Sequence, residues 1–290
     1  MKLTNKNSLP ESIINVLKRP EYTKGKAHLS VTQLLNSPKI VALTQKFWHE
    51  LEQDAADMVW SLFGTAIHKV LEHGKDTNHI VEQRLHAEID GWNISGAIDL
   101  QILHDNGLDI RDYKTTSAWA VMNEKAEWEY QLNMYAYLVE RVKQVPVTSV
   151  GIVAIIRDWS RRDAANKEGY PQAPIKEIPI KLWEFSEREA FVMGRVHKHA
   201  EAAFAIETDG DLPECTPEEM WETQSTWAVK KTGAVRAKSV HQSEAEAQAA
   251  LDALGKGYAI EHRPGERRRC ASFCPVSQYC QQYRNYKESL

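Results

Sequence analysis

The sequence predicts an α/β fold of the mixed, α+β kind: a central mixed β-sheet flanked by helices, with a small C-terminal extension that carries a cysteine cluster. Three observations lead there. Between residues 58 and 159 helical spacing gives way to strand spacing and returns, in the order α-β-β-β-α-β. Asn106-Gly107, between two apolar runs, is a strong hairpin signal. After Asp209 the composition changes, and three of the four cysteines fall between Cys270 and Cys280. These mark a core over 1–208 and an extension over 209–290.

Residues 58–73 carry Val59, Leu62, Phe63, Ala66, Ile67, Val70 and Leu71 at helical spacing, with Gly74 as a stop. That pattern predicts an apolar stripe turned to the core. Strands follow at 80–89, 92–102 and 108–115. Helical spacing resumes over 127–143 through Trp128, Leu132, Tyr135, Val139 and Val142. The continuous apolar run SVGIVAIIRDW at 149–159 suits a central strand buried on both faces. Pro179 in KEIPIKLW indicates an edge strand, and a long amphipathic helix spans 186–206. In the extension, 225–262 reads as a ββαβ module, its helix opened by the Ser243/Glu246 capping box. Trp60, Trp128 and Trp183 fit these patterns and read as packing rather than as base-stacking residues.

No run of about 18 apolar residues is present, so no membrane partner is expected. The first residues lack a secretory signal, and a cytoplasmic location is the expectation. The net charge of −4 gives no global basic footprint, which weighs against a pure nucleic-acid-binding module. Basic residues cluster locally, at Lys230, Lys231, Arg236 and Lys238 and again at Arg263, Arg267, Arg268 and Arg269.

Period two places Leu108, Ile110, Asp112 and Lys114 on one strand face, so a carboxylate and an ammonium point the same way. Pairing about Asn106-Gly107 brings Asp99 to the same end of the sheet. Two carboxylates held together repel, and a divalent cation resolves the repulsion. Oxygen donors suit Mg2+ or Mn2+, which activates water for phosphodiester hydrolysis while Lys114 stabilises the developing charge. Alone, acid-x-Lys is a chance-level pattern that reads first as a surface ion pair on a strand. His68 lies on the rim of its helix with Gly64 and Glu72, and Gln131 and Tyr135 lie four apart on one helical face.

The segments GTAIHKVLE, SGAIDLQI, LDIRDYKTT and YQLNMYAYL, in that order over residues 30–160, resemble the successive motifs of the RecB-like branch of the PD-(D/E)xK nucleases. The resemblance implies a restriction-endonuclease-like core in which His68, Asp99 and Asp112 bind the metal, together with the backbone carbonyl of Tyr113. By the same resemblance Lys114 is the catalytic lysine, and Gln131 and Tyr135 line the DNA-contacting side of the cleft. It also implies a DNA exonuclease of recombination, repair or phage DNA processing, acting on single-stranded or duplex ends with a recombination protein as a partner. A branch- or single-strand-specific endonuclease, a non-cleaving binding protein and an RNA substrate stand as alternatives.

Cys270-x3-Cys274-x5-Cys280 is similar to the terminal triad of iron–sulfur nucleases of this branch, including the CRISPR-adaptation type. Those proteins supply a fourth cysteine upstream of the core. Here Asn36, Ser37 and Pro38 stand in that region, and Cys215 is the remaining thiol. Four thiolates hold a 4Fe–4S cluster or a structural Zn2+, and the lack of paired C-x2-C knuckles favours the first. Arg263, Arg267, Arg268 and Arg269, beside this knot, are the expected phosphate contacts.

Overall fold

The structure, a computed structural model, describes residues 1–18, 25–123 and 125–289, in two compact units, Met1–Leu212 and Pro213–Leu290.

The first unit opens with β1 (Lys2–Thr4) and α1 (Glu11–Leu17). β2 (Leu29–Ser30) runs into α2 (Val31–Leu35) through a capping box: Ser30 Oγ accepts from Gln33 N while Gln33 Oε1 takes Ser30 N. α3 (Pro38–Lys46) begins on proline, whose missing N–H costs nothing at that position. β3 (Glu52–Asp54) pairs in parallel with β1, and Asp54 then caps α4 (Ala55–Leu71) by accepting from Ala56 N. The Asp54 carboxylate also accepts from Lys6 N and Thr4 Oγ1, each at 2.8 Å. These bonds, led by that from Lys6, hold its pKa down to about 2.

A meander follows, β4 (His79–Ile89), β5 (Trp92–His104) and β6 (Gly107–Thr116). After it come α5 (Ala118–Met122), α6 (Ala126–Lys143), β7 (Val147–Ile156), α7 (Arg161–Asn166), β8 (Ile175–Ile180) and α8 (Phe185–Glu207). The resulting six-stranded sheet is mixed. β5 pairs antiparallel with β4 along one side; on the other it meets β2 in parallel and β6 antiparallel. β6 and β7 are parallel, and β8 closes the edge antiparallel to β7, with Pro179 on that outer strand as expected.

The core lies where α6 seats on the sheet. Leu132, Met134 and Leu138 are buried against Ile94, Ile98, Ile110 and Ile152, each side chain contributing roughly 1.5–3 kcal/mol. Gly96 makes the close approach possible, since a Cβ there would come within 2.8 Å of Leu138 Cδ1 and 3.1 Å of the Tyr135 ring. α8 ties down the end of α2: Arg195 donates to the carbonyls of Leu34, Leu35 and Asn36.

Two expectations change. The turn between β5 and β6 is Asp105-Asn106, because Gly107 already pairs with His104. Gly107 is required for its own reason: its φ is +143°, and a Cβ would lie 2.3 Å from the Pro146 carbonyl oxygen. The second change concerns α4, in which Ala55 alone is buried while Val59, Trp60, Phe63 and Val70 are exposed. Periodicity makes the helix but does not fix how much of its stripe is covered. α4 approaches β6 on the side of Gly64, where a Cβ would meet Thr115 Oγ1 at 3.4 Å, and Leu62, Ile67 and Leu71 of its stripe are half-buried. Trp128 is buried as expected, and Trp60 is not.

In the second unit β9 (Thr226–Lys231) pairs antiparallel with β10 (Ser239–His241) and β11 (Tyr258–Arg263), and α9 (Glu244–Leu254) packs on them. Adjacent Ala228 and Val229 are both fully buried, so both faces of the sheet are covered at that point. α10 (Arg268–Ser272) and α11 (Gln281–Glu288) carry the cysteine segment.

Candidate active site

Counting along the ladders places three carboxylates level on three neighbouring strands. Val81↔Leu100 and Gln83↔Ile98 bracket Glu82 opposite Asp99, and Leu100↔Arg111, continued by one residue, sets Asp99 opposite Asp112. Regular pairing of β5 with β6 ends there, and the Asp99 side chain takes up the next backbone donor, accepting from Tyr113 N at 2.8 Å. Glu82 has a left-handed backbone, φ +48°, which for a residue with a Cβ costs roughly 1–2 kcal/mol. Such strain is worth bearing where a side chain must be re-aimed.

α4 brings His68 to this row. Its Nε2 donates to the Tyr113 carbonyl at 3.1 Å, which assigns the tautomer and turns Nδ1 inward. Nδ1 lies 3.4 Å from Glu82 Oε1 and 3.5 Å from Asp99 Oδ1. One donor atom from each of His68, Glu82 and Asp99 falls within 4.8 Å of the others, the one such group of three or more His, Cys, Asp or Glu among the described residues. Glu82 first, with Asp99 adding to it, raises the His68 pKa to about 9 against the opposing effect of burial. Burial first, then the charge of Asp112, raises that of Asp99 to about 7.

Asp112 is 2% exposed. Its Oδ2 lies 2.6 Å from Lys114 Nζ but off the hydrogen-bonding direction, and no hydrogen bond reaches that buried oxygen. Lys114 donates to Gln131 Oε1 at 2.9 Å, and Gln131 Nε2 donates to Tyr135 OH at 3.0 Å. Lys114 is therefore held from two directions, by a carboxylate on its own strand and an amide on α6. All eight residues, Tyr113 included, line one cleft of about 980 Å³ in the first unit.

The expected cleft residues His68, Asp99, Asp112, Lys114, Gln131 and Tyr135 thus converge, and the Tyr113 carbonyl faces His68. Glu82 is an addition. Its signal was Asp90-Gly91, a hairpin turn whose register, counted back, sets Glu82 against Asp99.

In the second unit, Cys215 and Cys280 are buried and Cys270 and Cys274 half-buried. Burial pushes the Cys270 thiol up to about 11, and nearby Cys274, Cys215 and Cys280 all add to the shift, so the four thiols share one neighbourhood. Gln282 clamps Cys215 there, accepting from its N–H and donating to its carbonyl, both at 2.9 Å. The expected phosphate-binding arginines are partly engaged within the unit. Arg263 pairs with Glu261 and Arg267 with Glu222, Arg269 donates to the Glu219 carbonyl, and Arg268 is exposed.

Among the described residues no helix is long and apolar enough to cross a membrane. No curated protein matches the chain. The crystal structure of SSO0001 aligns with a TM-score of 0.43 at 17% identity, covering 64% of this chain and 82% of that one. The sequence model of the PD-(D/E)XK nuclease superfamily matches residues 42–281.

Proposed function

Because the chain belongs to the PD-(D/E)XK nuclease superfamily, whose members are metal-dependent nucleases, we propose that it is a DNA exonuclease of the RecB-like branch, serving recombination, repair or phage DNA processing. The observation that carries this reading is the row Glu82–Asp99–Asp112, with His68 at one end and Lys114 at the other. The end-digesting activity rests on the four ordered motifs.

The residues fit a divalent cation. Asp99 and Asp112 are buried side by side, Asp112 Oδ2 lacks a hydrogen-bond donor, and His68 turns one ring nitrogen toward two carboxylates. His68, Glu82, Asp99 and Asp112 would hold the ion, with the Tyr113 carbonyl beside them, and a donor set rich in oxygen suits Mg2+ or Mn2+. Bound there, such an ion polarises a phosphoryl oxygen and makes water a better nucleophile. The protein's own groups do the rest. The Tyr113 carbonyl orients the His68 ring, as outer-shell partners of histidine ligands do. Gln131 takes one Nζ donor of Lys114 and Asp112 holds its charge as an ion pair, so the ammonium keeps donor capacity for a phosphate oxygen or the attacking water. Tyr135 braces Gln131, so the ammonium stays aimed without reorganising as charge develops.

For the second unit the proposal is a 4Fe–4S cluster on Cys215, Cys270, Cys274 and Cys280. The triad Cys270-x3-Cys274-x5-Cys280 with one remote partner lacks paired C-x2-C knuckles, which favours the cluster over Zn2+. Arg263 and the exposed Arg268 are the proposed phosphate contacts beside it.

End-labelled linear DNA incubated with Mn2+ beside Asp112→Ala tests the main reading: release of label by the native protein and none by the variant is expected. Absence of metal-dependent cleavage on every linear substrate would overturn it. Circular single-stranded DNA separates the two nuclease classes, since an exonuclease leaves it intact.

A further inference from the structure

The large exposed tryptophan of α4 lies in the same cleft as the carboxylate row. Trp60 is 60% exposed and lines the cleft with His68, Asp99, Asp112 and Lys114. Trp60, Gly64 and His68 are successive four-residue steps on α4, so they share one side of the helix. Eight residues at 1.5 Å set the indole about 12 Å along the helix axis from the imidazole. The exposed Arg157, next after β7, covers one part of the ring with its guanidinium carbon 4.5 Å from the centroid. Arg157 N donates to Thr116 O, which ties the residue to the end of the strand that carries Asp112 and Lys114. Among the described residues the Arg157 side chain has no carboxylate partner. Phe63 braces the indole edge-on at 6.4 Å.

A wide apolar ring is exposed to water, braced from the side by Phe63, and met by a cation that has no carboxylate partner among the described residues. An unpaired nucleobase presents what both groups lack: a flat π-face for the indole and an adjoining phosphate for the guanidinium. A base inside a duplex is already stacked on its neighbours and cannot turn its face to the indole. We propose that Trp60 and Arg157 form a stacking station for an unpaired base of the strand entering the cleft, and that this station makes single-stranded DNA ends the preferred substrate. The inference rests on the nuclease reading for the identity of the strand, but its test reads binding alone.

Fluorescence anisotropy in EDTA, with a short labelled single strand and the matching blunt duplex, measures it without turnover. Trp60→Ala is expected to weaken single-strand binding about 5- to 150-fold, the range found for loss of one base–aromatic stack. Trp60→Phe, which retains a ring, restores most of the affinity, and duplex binding changes little in either variant. Arg157→Gln weakens single-strand binding and lowers the slope of log affinity against log salt by about one phosphate contact. An abasic site at the stacked position weakens binding to the native protein and adds no further loss in Trp60→Ala. Trp60 is exposed, so the variants fold, and circular dichroism checks this. Native-like single-strand affinity in Trp60→Ala overturns the inference while leaving the nuclease intact. Trp60-dependent binding by a protein that cuts no DNA would instead sink the nuclease reading and leave the station standing.

Discussion

Lys114 Nζ sits 2.6 Å from Asp112 Oδ2 and 2.9 Å from Gln131 Oε1, so an ammonium on a strand is aimed by an amide on the helix above it. A lysine is a flexible point charge, and its usefulness in a cleft depends on being held. Gln131→Ala removes one of the two holds. The cleavage rate should fall about 10-fold, in line with loss of one hydrogen bond to a charged group, while Mn2+ affinity stays unchanged. Single-turnover cleavage and calorimetric Mn2+ titration separate the two effects. Weaker metal binding at an unaltered rate would place Gln131 in a different role.

Glu82 is the residue whose contribution is least expected from its neighbours in sequence. Glu82→Gln keeps its size and removes its charge beside His68 Nδ1. Mn2+ affinity should drop about 10- to 100-fold, the usual penalty for loss of a partner in or around a metal site. The fold should be retained, since the strained backbone is held by the ladder on either side. Calorimetry showing native affinity would remove Glu82 from the site.

The metal-free protein should lose stability as pH rises. His68 is raised from 6.5 to about 9 and Asp99 from 3.8 to about 7, so in both cases the folded state holds its proton more tightly than the unfolded state. The Asp99 part is present in full below pH 3.8 and lost as pH climbs through about 7; the His68 part is present below 6.5 and lost through about 9. A bound cation displaces both protons, so its affinity rises across the same window. Melting temperatures in EDTA and in Mn2+ should therefore diverge between pH 6 and pH 9. A constant gap would show that these groups do not face the ion.

Cys274→Ser tests the second unit. The native protein purified without air should be brown, with thiolate-to-iron absorbance in the visible, and the variant colourless. Stoichiometric zinc in a colourless native protein would replace the cluster with the smaller ion.

Leu132→Ala, at the centre of α6, should cost about 2–5 kcal/mol in denaturant unfolding, because the side chain is fully buried against the sheet. A loss below 1 kcal/mol would mean that this layer is not the core.

How much of this was legible follows from which physical signals are local. The meander, α6 and the edge position of β8 came from period, turn residues and one proline, all of which act within a few positions. Asp112 and Lys114 were legible as a pair because period two alone puts them on one face. His68, Gln131 and Tyr135 needed the ordered motifs, since a lone polar residue on a helix says nothing about what it faces. Glu82 was hidden because its role depends on a register set eight residues away at Asp90-Gly91, and on a positive φ that no pattern of alternation signals. Trp60 was misread for the opposite reason: its helical spacing is real, but spacing cannot tell a covered stripe from an open one.

The level row of Glu82, Asp99 and Asp112 makes residue number itself a constraint. The three carboxylates are aligned by two tight turns, Asp90-Gly91 and Asp105-Asn106, that act like the hinges of a folding rule. One residue inserted or deleted between a carboxylate and its nearer turn would slide that group about 3.3 Å and turn it to the opposite face. Length can thus vary in the two turns themselves, but not along the strands between a carboxylate and its turn, without taking that carboxylate out of the row.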